Sequence, residues 1–137
     1  MPTAAELSED EDEFQSSLRI YLNALEMLAS PPEEQCRLMG NCNVAWELKE
    51  DVQNGRFLIG RGYLNEREEQ WIRALSGALD GVNTLVLPSG VSLEANLLAM
   101  SHPAWEPSRF LASEVLRTLE QAAKRNAMHL GLGDSAA

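Results

Sequence analysis

The sequence is poor in the residues that build most familiar chemistry. It has two cysteines and two histidines in 137 residues. Two cysteines are too few for a disulfide scaffold or a four-ligand zinc site. Lys and Arg number 11 against 21 Asp and Glu. That shortage of bases argues against a binder of nucleic acid or of anionic membrane, since both need surplus surface cations. No apolar run nears the roughly 18–20 residues that cross a bilayer, and no basic-then-apolar signal opens the chain. What is present is 45% hydrophobic residues, enough for a core, at a length that favours one domain. The expectation is a soluble, cytoplasmic, single-domain protein with no cofactor.

The formal charge of −10 is unevenly spread. Glu6, Glu9, Asp10, Glu11, Asp12 and Glu13 fall in the first 13 residues with no base among them, whereas from Phe14 onward 15 acids face 11 bases. Residues 1–13 read as an acidic tail, either a solvated end or a helix start whose acids favour the positive end of the macrodipole, 14–130 as one helical domain and 131–137 as a flexible end. An electrostatic attraction to a basic partner must therefore rest on a local patch.

Apolar spacing predicts helices throughout. Phe14, Leu18, Tyr21, Leu22, Leu25 and Leu28 share one helical face, with Ser8 and Glu11 as a capping box at its start and an end near Ser30, before Pro31. Ser30, Pro31 and Glu33 then read as the cap, first-turn proline and capping acid of a second helix. It runs to about Gln53 and ends at Asn54-Gly55 in the left-handed conformation. Leu38 or Met39, with Cys42, Ala45, Trp46, Leu48 and Val52, supplies its apolar face. Phe57-Leu58-Ile59 has no strand to pair with and reads as a connector tucking its side chains under the bundle. Asn65 and Glu68 cap a third helix carrying Trp71, Ile72, Leu75 and Leu79. Thr84–Gly90 is a linker, and a short helix covers Ser92–Met100. A last helix runs from Pro107 to about Ala127, with Phe110, Leu111, Val115, Leu119 and Ala122 inward. The predicted fold class is all-α, a bundle of four main helices plus one short helix.

Few residues suggest catalysis. Neither His102 nor His129 has a Glu three positions before it, as a bundle di-iron site requires, so no metal site is expected. Cys36 and Cys42, six apart on one predicted helix, point in different directions and read as small buried apolar groups. Gly60-Arg61-Gly62 lacks the Lys-Ser/Thr ending of a phosphate loop; its glycines read as serving unusual backbone angles. The most unusual stretch runs from Asn41 to Asp51. Two Asn in mid-helix are poor helix formers, and one amide buried against a neighbouring loop would account for them. The alternative is a partner-contacting surface at Asn43, continued by Glu47, Glu50 and Asp51, which with Asn54 share one side of the helix. Asp10 and Asp12 are further candidate contacts on an acidic arm. Trp105, fixed between Pro103 and Pro107, reads first as core and second as a rigid partner anchor.

From Met39 to Val52, and again at His102-Pro103-Ala104-Trp105, the chain resembles small proteobacterial helical proteins. In size, charge and helical build it resembles the immunity proteins encoded beside polymorphic, contact-dependent or type VI secreted toxins. That resemblance implies a non-enzymatic cytosolic inhibitor that plugs the active site of a toxin encoded next to it. A secretion adaptor, chaperone or small regulator is the alternative, and a homodimer stays open.

Overall fold

A computed structural model describes residues 4–39, 43–84, 87 and 92–129. Six α-helices run in the order α1 (Ala4–Ala29), α2 (Pro32–Met39), α3 (Val44–Gln53), α4 (Glu66–Asp80), α5 (Leu93–Met100) and α6 (Glu106–His129). Two 3-10 turns, Asn54–Leu58 and Pro103–Trp105, join them. The fold is all-α, with no strand among the described residues. No helix among them is long and apolar enough to cross a membrane.

The two long helices form the spine. α1 packs along α6, α4 lies on the other flank of α6, and α3 crosses α1. Phe14, Leu18, Tyr21, Leu25 and Leu28 of α1 are all buried, as their spacing predicts. They meet Ile72, Leu75 and Leu79 of α4 and Val115, Leu119 and Ala122 of α6 in one continuous core.

Several local expectations need correction. α1 begins at Ala4, so the acidic run from Glu6 to Glu13 belongs to a helix and Ser8 is interior to it. Acids in early helical turns are favoured by the positive end of the macrodipole, and two alanines lead the run. Ser30 does not cap α2. Its hydroxyl donates back to the Glu26 carbonyl at 2.8 Å, while the Pro31 carbonyl accepts the first α2 bonds from Glu34 and Gln35.

The single helix expected from Pro31 to Gln53 is two, α2 and α3. Gly40-Asn41-Cys42, the linker stretch 88–91 and residues 131–137 lie outside the described residues. Asn54 stays in right-handed geometry and leads into a 3-10 turn, and Gly55 is absent from the positive-φ glycines. Gly55 serves instead to admit the Tyr21 ring, since a β-carbon there would stand 2.6 Å from Tyr21 Cζ. Gly60 and Gly62, at φ 81° and 89°, do take the backbone angles expected of them.

Phe110 points outward at 73% exposure, its place on α6 taken by the smaller Ala112 and Ser108, which are buried. In the connector Leu58 is buried, but Phe57 is 66% exposed. The Asn65–Glu68 capping box of α4 is present in full, and Ser92 caps α5.

Candidate partner-binding cleft between the first and third helices

α3 is held rigidly before it presents anything. Asn43 is its N-cap, accepting from the Trp46 amide at 3.2 Å. Asn96 of α5, itself buried, accepts from the Val44 amide at 3.1 Å. Two of the four orphan amides at this helix start are thereby satisfied. Asn43 is thus a capping residue at a helix boundary, and the mid-helix setting that marked it as a contact does not exist. On the far flank Lys49 donates to the Val82 carbonyl at 2.7 Å and Gln53 to the Ser76 carbonyl at 3.3 Å and Asp80 at 2.9 Å.

With those ties made, α3 turns Val44, Ala45, Leu48 and Val52 into the core. Asp51 faces the side where α1 passes, sharing two hollows with Ile20 of that helix, and Glu47 lies one turn before it on α3. On α1 a second stripe runs beside the buried one, Ser17, Ile20, Ala24 and Met27, at spacings of three and four. Between the two helices and the following 3-10 turn lies an open cleft of about 240 Å³. Ser17, Ile20, Tyr21, Asp51, Asn54, Gly55, Phe57, Leu58 and Arg61 line it. A second hollow of about 320 Å³ shares Ile20 and Asp51 and continues past Ala24 and Met27 to Met39. Ile20, 68% exposed, and Phe57, 66% exposed, are the large apolar groups at the first cleft.

The electrostatics of the cleft centre on Asp51. Partial burial, then the charges of Glu47 and Glu50, push its carboxyl above the usual aspartate range. The two arginines nearby are turned to aromatic rings. The Arg61 guanidinium lies 5.3 Å from the Phe14 ring centre, and that of Arg56 lies 5.5 Å from Phe57. Tyr21, 3% exposed, lines the same cleft, and its hydroxyl is buried with no hydrogen-bond partner among the described residues. Burial raises its phenol far above the ordinary tyrosine range.

The structure gathers Glu47, Glu50 and Asp51, and leaves the other candidates elsewhere. Asp12 is exposed but lies off the α1 stripe that lines the cleft. Asp10 lies on α1, its side chain outside the described residues. Trp105 is 0% exposed, and its indole N–H donates to the Ala99 carbonyl at 3.0 Å. A residue with both its ring and its donor buried cannot anchor a partner, so Trp105 is a core residue. Ile20, Tyr21 and Phe57 were not anticipated at a site, whereas Asn54 lines the cleft with Asp51, on whose helix side the sequence placed it. Ile20, lying between buried positions of α1, offered the one usable signal, an apolar group outside the main stripe.

Elsewhere the reactive groups are placed for structure. Cys36 is buried, and burial and Glu33 push its thiol up against the opposing pull of Arg109, the reverse of an activated nucleophile. His102 uses Nδ1 to accept from the Ala104 amide at 3.0 Å and so caps the short Pro103–Trp105 turn. The described residues hold no group of three His, Cys, Asp or Glu side chains that could hold a metal ion. Compared with protein-family models, curated proteins and solved structures, the chain matches none.

Proposed function

We propose that this chain is a non-enzymatic binding protein of the immunity kind, holding a partner protein against the acidic side of α3 and neutralising it. The observation that carries this reading is the placing of Asp51 in an open, largely apolar cleft, with Glu47 and Glu50 as the charges acting on it from the same helix. Concentrated like charge at a rigid surface speeds encounter with an oppositely charged partner and discriminates among partners. Toxins that act on nucleic acids or nucleotides carry basic clefts, and an acidic helix edge is complementary to them.

Exposed Leu38, Leu93, Leu98 and Phe110 favour a second reading, an adaptor or chaperone that holds several apolar clients. The two readings separate by partner number. Expression of the product of the adjacent open reading frame, alone and together with this chain, tests the first. The neighbour alone should stop growth, and the pair should grow and co-purify as one complex. A neighbour that is harmless alone removes the immunity reading, and co-purification of several unrelated clients supports the adaptor instead.

A further inference from the structure

The cleft alone, about 240 Å³, lies below the roughly 300–1,000 Å³ of most ligand sites, and it shares Ile20 and Asp51 with the adjoining hollow of about 320 Å³. A single side chain of a docked protein fits that size. Its walls divide by chemistry: Ile20, Phe57 and Leu58 offer an apolar channel, and Asp51, Asn54 and Ser17 offer oxygen acceptors.

We propose that the Tyr21–Asp51 cleft takes one cationic side chain, Lys or Arg, of the partner protein. Its aliphatic stem lies between Ile20 and Phe57 and its charged head meets the Asp51 carboxylate. The inference rests on the protein-binding reading above and names what that partner inserts.

Two observations select a cation over an anion or a neutral group, and a third is compatible with it. Asp51 has no ion-pair partner among the described residues, and the charges acting on it are those of Glu47 and Glu50. Arg61 and Arg56, the bases that would welcome an anion, are drawn over Phe14 and Phe57. The Tyr21 hydroxyl, buried and without a hydrogen-bond partner among the described residues, belongs to the cleft lining and can accept as well as donate. A long stem with a charged tip is the side-chain form that satisfies an apolar channel ending in acceptors.

The test uses the full chain, labelled with nitrogen-15, and small probes of one shape. n-Butylguanidinium and n-butylammonium carry the stem and the charge, n-butylurea carries the stem alone, and butanoate reverses the charge. The two cations should shift the Asn54 and Gly55 amides saturably, while the urea and the anion leave them in place. Asp51→Asn should weaken cation binding by about tenfold or more without altering the rest of the spectrum. Tyr21→Phe, which deletes only the hydroxyl, should weaken it by a smaller factor. Equal shifts with n-butylurea, or cation binding unchanged in Asp51→Asn, overturn the inference. So does the absence of any saturable shift. A partner that co-purifies equally with wild type and Asp51→Asn removes this cleft while leaving protein binding intact. A harmless neighbour removes the immunity reading and leaves the probe result standing.

Discussion

The ring of Tyr21 on α1 lies against Gly55 so closely that a β-carbon at position 55 would stand 2.6 Å from Cζ. This contact lets the 3-10 turn after α3 approach α1, and it fixes the floor of the cleft. Gly55→Ala should therefore force the ring aside. A loss of about 1–3 kcal/mol is expected, the usual cost of overpacking a closed contact. Urea unfolding at neutral pH checks it, and a variant as stable as wild type would show that the turn has room to give.

Asp51 should trade stability for binding. Its carboxyl sits above the ordinary range in the folded chain, so the fold favours the protonated form. Stability from this group is present at low pH and is lost as pH rises from the ordinary aspartate value through the raised one. Asp51→Asn should melt higher than wild type at neutral pH, and the difference should vanish at about pH 3, below the ordinary aspartate value. Calorimetric scans at the two pH values read it out. Partner binding runs the other way, weakening in mild acid as the carboxylate is protonated.

Glu68 gives the opposite linkage. It is buried, and burial pushes its carboxyl up. Hydrogen bonds from Arg125, at 2.8 and 3.0 Å, and from the Asn65 amide, with the Arg125 charge, outweigh that and hold it below the usual range. Its contribution is full above the ordinary glutamate value and is lost as pH falls through the lowered one. Arg125→Ala leaves the buried acid with only its α4 cap and should cost on the order of 2 kcal/mol at neutral pH. The deficit should shrink on acidification, as unfolding curves at about pH 7 and 3 would show.

Gln35 closes α1. Its side-chain amide donates to the Met27 carbonyl at 3.0 Å and the Leu28 carbonyl at 3.1 Å, and its oxygen accepts from Arg109 at 3.2 Å. Both carbonyls belong to the last turn of α1, and that of Met27 also accepts from the Ser30 amide at 3.1 Å. Arg109 also bonds the Met100 carbonyl, so one buried amide links α1, α2, α5 and α6. Gln35→Leu, of similar volume, should cost about 1–3 kcal/mol through the bonds lost to the Leu28 carbonyl and the Arg109 guanidinium. Gln35→Glu, which keeps the acceptor for Arg109 but loses the donors, should fall between the two in denaturant melts.

Local signals were legible where the chain itself decides the structure. The α4 capping box, the short helix near Ser92 and the buried stripe of α1 follow from residue order alone, because each is made by neighbours within a turn or two. The break between α2 and α3 was hidden by continuous apolar spacing. Asn43 signals it only once it is seen as a cap, a role completed by Asn96 from 52 residues away. Phe110 shows the same limit. Its outward setting depends on which neighbour is small enough to be covered, and that is a tertiary fact. For the cleft, Glu47, Glu50 and Asp51 were legible as one helix side, whereas Ile20, Tyr21 and Phe57 join them only through the crossing of α1 and α3.

The central claim is that a protein partner is held at the Asp51 side of α3. Titration calorimetry of the co-purifying neighbour product against wild type and Asp51→Asn tests it most directly. The account predicts a Kd raised by about tenfold or more in Asp51→Asn, even though that variant melts higher than wild type. Equal affinity in the two proteins would contradict it.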